Sequence, residues 1–349
     1  MLNELFNLLR CPKSNLDLVY NEVVHQLETT DKKINYKINE KIPILFESLS
    51  DSDVRIISWW KDLYKQLYQN IDKNLNKKNI NNYLDNFEDL MKVQNHLFYR
   101  NLINKINLKN KTLLEIGSGS GAHSASIKRL GAKVVACDIT FERCFSTDKK
   151  LRLLNGENHM VINASAENIP LKNNSFDIVY SNGVLHHASD TQKCIDEVYR
   201  VLKINGRGII MLYCRSSVEY FFNIIPKAII TGAIFRHKNE ANWVGEVTEG
   251  KNKFFKIKNP ITRVYNKSEI LSLFKDFEVI SLDKAYFSYK DFAIPKLTQI
   301  REKLLELFGK KKHPGGEIVY GKQIVPLTNL EKKLGKYLGF FWYITVLKK

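Results

Sequence analysis

The stretch Leu113-Leu114-Glu115-Ile116-Gly117-Ser118-Gly119-Ser120-Gly121 is an apolar strand that breaks into a loop with glycine at every second position. Ala122–Leu130, which follows, suits a helix. Glycines at such a break permit positive φ and let backbone approach a ligand closely. The spacing is G-x-G-x-G rather than G-x-G-x-x-G, so the loop alone does not say which ligand. Seventeen residues beyond Gly121, the strand Val134-Val135-Ala136-Cys137 ends in Asp138. A carboxylate there can accept hydrogen bonds from both ribose hydroxyls. Loop and carboxylate together point to an adenosine-containing cofactor.

On the C-terminal side the alternation continues. Strands are expected at Lys133–Cys137, Met160–Asn163, Phe176–Ser181 and Gly208–Tyr213. Cys194–Leu202 reads as an amphipathic helix ahead of a turn at Lys203–Gly206. Strands separated by helices pair in parallel through right-handed crossovers, giving a Rossmann-like α/β sheet. Beyond it, Val218–Phe235 is apolar with a helical period, fitting a cap or an amphipathic surface helix. Lys267–Phe274 reads as a helix with Ser268 as N-cap, Phe277–Leu282 as a strand, Leu297–Phe308 as a helix and Phe340–Leu347 as a final strand.

On the N-terminal side, Val54, Ile57, Trp60 and Tyr64 recur at helical spacing, continued by Leu67 and Tyr68. A second helix is expected over Asn81–Ile106, with a loop at Lys73–Asn82. The aromatics Trp59, Trp60, Tyr64 and Tyr68 suit either core or a cover over the site. Residues 1–48 alternate apolar and polar at Leu16–Tyr20 and Ile34–Ile38, which argues for a small β-rich module.

Four further segments carry a resemblance: Ala164-Ser165-Ala166-Glu167-Asn168-Ile169-Pro170, Ser175-Phe176-Asp177-Ile178-Val179, Ser181-Asn182-Gly183-Val184-Leu185-His186-His187, and Glu197-Val198-Tyr199-Arg200-Val201-Leu202-Lys203. With the glycine loop they make residues 111–213 resemble the class I S-adenosylmethionine-dependent methyltransferases, in particular the UbiE/methyltransferase-11 type. The resemblance implies a seven-stranded, mostly parallel sheet and S-adenosyl-L-methionine as cofactor. It implies that Glu115, Gly117, Ser118, Gly119 and Gly121 lie against the methionine part, that Asp138 and Ile139 meet the ribose, and that Ser165, Ala166, Glu167 and Asn182 border the rest. Ser165 stands where the family often has Asp, and Asn205-Gly206 where it usually has Pro-Gly-Gly. LLRCPKSNLDL followed by INEKIPILFES resembles the Trm112-like zinc-ribbon module, yet the knuckle reads Cys11-Pro12-Lys13-Ser14 and the second cysteine pair is missing. One thiolate cannot hold tetrahedral zinc, so no metal is expected. The implied organisation is a module at 1–50, a helical lid or linker at 51–108 and a methyltransferase domain at 109–349 with insertions at about 216–266 and 288–338.

A sulfonium methyl is already activated, so its transfer by SN2 displacement needs alignment and desolvation more than exotic groups. A base is required only if the acceptor arrives protonated. His186 and His187 are candidates, just past the fourth strand, with packing roles as the competing reading. Tyr213 and Arg215, after the fifth strand, could face the acceptor, but nothing marks Cys214 as a nucleophile. Tyr64, Tyr68, Trp243, Glu246, Arg263 and Tyr265 are candidate acceptor contacts, with ordinary core and turn roles equally open.

Composition narrows the classes. The 349 residues carry 54 basic and 37 acidic groups and are 44% hydrophobic, enough for a sizeable core. Of the basic residues only 12 are arginine, the side chain best suited to bidentate phosphate recognition. Residues 251–349 hold 21 basic and 9 acidic groups, so most of the net +17 lies there. That charge suits a solvated lysine-rich surface, an anionic ligand or peripheral membrane association. Five scattered cysteines fit a reducing interior, and neither a long apolar run nor a basic leader is visible. The expectation is a cytoplasmic enzyme acting on a small-molecule acceptor: a metabolite, lipid or quinone-like compound. An RNA-directed methyltransferase and a non-catalytic partner subunit of the same fold stay open. Against nucleic acid, Ser181-Asn182-Gly183-Val184 replaces an N-P-P-Y motif and no catalytic Pro-Cys is present. Oligomeric state is not legible.

Overall fold

A computed structural model describes residues 4–46, 48–248, 259–288, 292, 294 and 296–349. Parts of both expected insertions, residues 249–258 and most of 289–295, therefore lie outside the described residues.

The N-terminal module is an antiparallel meander of β1 (Leu18–Asn21), β2 (Gln26–Thr29), β3 (Asn35–Asn39) and β4 (Ile42–Pro43). Cys11 Sγ lies 3.1 Å from Tyr36 Oη and accepts from Ser14 N–H at 3.3 Å. Three helices follow: α1 (Asp51–Leu67), α2 (Gln69–Asn74) and α3 (Ile80–Val93). Ser50 and Asp53 form a capping box that starts α1. The helix expected over Asn81–Ile106 is broken. Asn95 takes φ 50° and the chain resumes as a π-helical turn at Phe98–Ile103.

The main sheet contains β5 (Thr112–Ile116), β6 (Lys133–Asp138), β7 (His159–Asn163), β8 (Phe176–Asn182), β9 (Leu202–Cys214), β11 (Glu278–Ala285) and β12 (Phe341–Leu347). Their order is β7-β6-β5-β8-β9-β12-β11, and the two-residue β10 (Val264–Tyr265) pairs with the end of β9. The pairs from β7 to β9 are parallel, and β12 runs antiparallel between β9 and β11. The expected turn at Lys203–Gly206 is instead a bulge inside β9. Asn205 adopts φ 61°, yet its N–H donates to Lys348 O at 2.8 Å and Gly206 O accepts from Lys348 N–H at 3.0 Å. β12 runs alongside far enough to hold those residues in the ladder.

Three crossover helices link these strands: α4 (Ala122–Arg129), α5 (Phe141–Leu153) and α6 (Thr191–Val201). After β9 come a π-helical turn at Tyr220–Ile224, α7 (Ile225–Ile230), α8 (Ala233–Arg236) and α9 (Glu240–Thr248). Then follow α10 (Lys267–Leu273), α11 (Leu297–Leu307), α12 (Gly315–Tyr320) and α13 (Asn329–Leu338). Asn266, not Ser268, caps α10, because Glu269 returns a bond to its N–H and completes a capping box.

Alternation along β5 splits the core. Leu114 and Ile116 join one buried cluster, and Leu113 joins another with Phe87, Phe98 and Tyr180. The first cluster runs without interruption into the N-terminal module through Leu9, Leu27 and Leu45. Main-chain bonds reinforce it: Leu45 N–H donates to Asn163 O at 2.8 Å, and Ile44 bridges Asn163 in parallel. The module thereby covers the β7 edge, which would otherwise present unpaired backbone groups.

Candidate active site

β5 and β8 are neighbours whose crossovers leave in opposite directions, so a crevice opens at their C-terminal ends. The glycine loop occupies that crevice. Gly117 has φ 76°, and a Cβ there would stand 2.2 Å from Val184 Cγ2. Gly121 has φ 78° and is pressed on Thr147, where a Cβ would lie 2.6 Å from Cα. Backbone compactness, not flexibility, is what these positions require.

Asp138 ends β6 beside the loop. Its Oδ2 accepts from Gly119 N–H at 3.1 Å and its Oδ1 from Thr140 N–H at 2.9 Å. Burial pushes its pKa up, while the Arg143 charge and these hydrogen bonds pull it back. Each oxygen keeps a further lone pair for a ligand hydroxyl. Arg143 donates to Trp60 O at 3.4 Å, and its guanidinium lies 4.9 Å from the Trp60 ring centroid. α1 is thereby drawn over the crevice.

The result is a cleft of about 220 Å³. Its floor includes Gly117, Ser118, Gly119, Asp138, Ile139, Ser165, Ala166, Glu167 and Asn182, nine of the eleven residues expected to meet the cofactor. The other two sit behind it. Gly121 sets the loop's return, and Glu115 is buried beneath, where it accepts from Ser124 and lies 3.7 Å from His123 Nδ1. Burial raises the Glu115 pKa to about 8. Glu167 Oε1 accepts from Asp190 N–H at 3.1 Å, and burial raises its pKa too. Asn182 Oδ1 is shielded from water and accepts no hydrogen bond from any described residue.

The opposite wall comes from the cap. Ile56, Trp60 and Tyr68 project from the α1 region, Phe87 from α3 and Val319 from α12. Tyr68 Oη donates to Val319 O at 2.9 Å and ties the two ends of this wall. Tyr68 was expected here. Trp60, read from the sequence as core or as a cover over the site, takes the covering place, and Phe87, His123, Arg143 and Val319 carry no sequence expectation. Their signal was weak, since an apolar or aromatic side chain at helical spacing reads as core.

His187 also lines the cleft, with its ring 5.0 Å from Trp60. Its Nδ1 lies 3.1 Å from Ile261 O, 3.1 Å from Thr262 Oγ1 and 3.3 Å from Asn259 Nδ2. Ile261 O can only accept, which favours a proton on Nδ1, and in that tautomer the Asn259 amide nitrogen, itself a donor, makes no hydrogen bond to the ring. His186 is different. It is fully buried, neither ring nitrogen makes a hydrogen bond among the described residues, and its ring centroid sits 3.9 Å from that of Tyr213. Burial, then the neighbouring His187, holds its pKa well below the ordinary value.

The remaining candidates lie away from the cleft. Tyr213 stacks between His186 and the pair Phe340 and Phe341. Tyr64 donates to Asp72 Oδ2 at 2.6 Å, inside a buried network with Ser146 and Lys150. Arg215 pairs with Glu240 and Glu269, and Glu246 with Arg236 and His237. Trp243 packs with Tyr220 and Ile224, Tyr265 is buried, and Arg263 donates to the carbonyls of Ala188 and Ser189. These side chains are engaged elsewhere, and none of them lines the cleft.

A methyltransferase-domain family model matches residues 114–210. The UbiE ubiquinone/menaquinone biosynthesis C-methyltransferase of Rickettsia bellii is 31% identical over 172 residues, covering 44% of this chain and 69% of the relative. That of Haemophilus ducreyi is 30% identical over 131 residues, covering 34% of this chain and 51% of the relative. The chain thus spans only about half the length of the Haemophilus protein. A solved S-adenosylmethionine-dependent methyltransferase from Methanosarcina mazei is 16% identical with a TM-score of 0.46, covering 72% of this chain and 97% of that one.

Proposed function

The chain belongs to the class I S-adenosylmethionine-dependent methyltransferases, and on that premise we propose that it methylates a small, largely apolar aromatic acceptor of the quinol type. One observation carries the cofactor half: Asp138 and the Gly117–Gly121 bend share one cleft, with Gly119 N–H 3.1 Å from the carboxylate. The residues fit the group. Asp138 would take ribose hydroxyls, and Asn182 Oδ1 is an acceptor awaiting a donor. Ser165–Glu167 would border the base. α4 begins without a side-chain cap, which suits the carboxylate of an amino-acid tail. When bound, S-adenosyl-L-methionine supplies an electrophilic sulfonium methyl for SN2 transfer.

The chain's own residues account for the rest. Trp60, Phe87, Tyr68 and Val319 exclude water and favour a flat acceptor ring. His187 is the candidate base at Nε2, oriented from behind by Ile261 O and Thr262. The UbiE relatives, ubiquinone/menaquinone biosynthesis C-methyltransferases, agree with that acceptor class.

We assign residues 1–50 to a brace rather than a catalytic part. Asn168 Nδ2 donates to Pro12 O at 3.1 Å and Arg10 N–H to Pro170 O at 3.1 Å, so the module grips the segment next to Ser165–Glu167. Its likeness to the Trm112 fold stays part of this proposal, as does the division at 50 and 108. All five cysteines are free and buried, which supports a reducing, cytoplasmic setting, and no helix among the described residues is long and apolar enough to cross a membrane. Isothermal calorimetry with S-adenosylhomocysteine tests the cofactor half. Saturable one-to-one binding lost in Asp138→Ala supports it, and absence of binding to the native protein overturns it. Methyl transfer from labelled cofactor to a panel of hydroxylated aromatic rings tests the acceptor half.

A further inference from the structure

Apolar side chains exposed to solvent concentrate in the C-terminal insertions. On α11, Ile300, Leu304 and Leu307 fall on one face at spacings of four and three, and Phe308 extends it. Leu307 and Phe308 are each 82% exposed. The helix is anchored along the flank of that face, where Arg301 is buried and paired with Glu331 of α13 at 2.7 Å. The stripe is therefore presented outward by a fixed helix. A second exposed group, Phe221, Phe222, Ile229, Ile230 and Phe235, lies on α7, α8 and the turn before them. The Phe222 ring lies 5.8 Å from that of Phe292, five residues before α11, which brings the second group towards the start of that helix. Isolated exposed apolar residues need no explanation, but two adjoining groups of this size do.

Charge says what covers them. Apart from the buried, paired Arg301, residues 296–312 hold five lysines and two glutamates, ending in the exposed run Lys310-Lys311-Lys312. An apolar stripe flanked by lysines is the pattern of a helix lying in the plane of an anionic bilayer surface. A basic face would repel a second copy of itself, which disfavours self-association. We propose that α11, together with the α7–α8 surface, seats the protein on a membrane containing anionic lipid. The run Lys310–Lys312 leads directly into α12, whose Val319 lines the cleft, so docking would hold the acceptor wall close to the lipid headgroups. The proposal deepens the apolar-acceptor reading, but its test uses no methyl transfer.

The test is co-sedimentation of the full chain with vesicles of phosphatidylcholine alone or with 30% phosphatidylglycerol, at about 0.1 M and 0.5 M salt. The expected result is binding to the anionic vesicles, at least about tenfold weaker at high salt and on pure phosphatidylcholine. The doubles Leu307→Asp/Phe308→Asp and Ile230→Asp/Phe235→Asp should each weaken it by at least about tenfold. Unchanged S-adenosylhomocysteine binding in calorimetry shows that both still fold. Absence of vesicle binding by the native chain overturns the proposal, as does binding indifferent to both doubles. Concentration-dependent self-association abolished by the same doubles also overturns it, since the face would then belong to a second copy. Membrane binding with no turnover of any aromatic acceptor would sink the acceptor class alone.

Discussion

The two walls of the cleft are built on opposite principles. The cofactor wall is largely backbone with a few polar side chains, Asp138 and Glu167 among them, drawn from strand ends between Ile116 and Asn182. The acceptor wall is side chains from α1, α3 and α12, with Trp60 and Val319 at opposite ends of the chain. The first wall is held by main-chain hydrogen bonds and close glycine contacts, so it tolerates almost no change of shape. The second is held by ring contacts and one Tyr68–Val319 bond, so its shape can vary while the fold persists. On the proposed reading, chemistry and specificity are separable here: one wall would hold a general reagent and the other would select what receives it.

The largest effect is expected where the two walls meet. His187→Gln should lower kcat by about 10²–10⁴ while leaving S-adenosylhomocysteine affinity within about threefold. Comparable loss of affinity would place His187 with the cofactor wall and break the division. Asp138→Ala should weaken S-adenosylhomocysteine at least about 100-fold, since charged hydrogen bonds are worth about 1.5–3 kcal/mol each and the Gly119 and Thr140 amides lose their acceptor. Circular dichroism should show the fold retained. Gly117→Ala should cost about 2–4 kcal/mol in urea unfolding, from the clash with Val184 and the positive φ. Val184→Ala in the same chain should restore part of it, whereas Gly119→Ala, whose Cβ would meet nothing closer than Arg143 Nη1 at 3.4 Å, should show strain from φ alone. Trp60→Ala should raise the acceptor KM about tenfold with little change in kcat.

The smallest effect is a slope. Burial holds Glu115 neutral up to about pH 8 in the folded chain, while the unfolded carboxyl ionises near 4.5. The unfolded state therefore binds fewer protons between those values, and this group makes stability fall as pH rises from about 4.5 to about 8. The difference in unfolding free energy between native protein and Glu115→Gln, followed against pH, should show that slope and flatten above about 8.

The cofactor wall was legible in the sequence because it is local. A strand, its glycine break and the next strand's terminal acid lie within 27 residues of one another, and each feature has a single physical reading. The acceptor wall was not. Trp60 and Tyr64 share one periodic face of α1, yet one turns to the cleft and the other to Asp72, and no spacing rule separates those fates. Trp243, Glu246, Arg263 and Tyr265 suggest a pocket because they are aromatic and charged, but Glu246 is taken by Arg236 and His237, Arg263 by backbone carbonyls, Trp243 by a satellite core and Tyr265 by the main one. Asn205-Gly206 was read as a turn because Asn-Gly favours one. Only the distant partner Lys348 makes it a bulge.

The Tyr68–Val319 bond joins segments 251 residues apart. A ribosome delivers the glycine loop, Asp138 and Asn182 well before it delivers Val319. The nascent chain thus holds Ile56, Trp60, Tyr68 and Phe87 before the glycine loop is made, and lacks only the Val319 end of the roof until α12 is translated. Closing the Tyr68–Val319 end of the chamber is therefore a late event of biogenesis, as is insertion of β12 between β9 and β11.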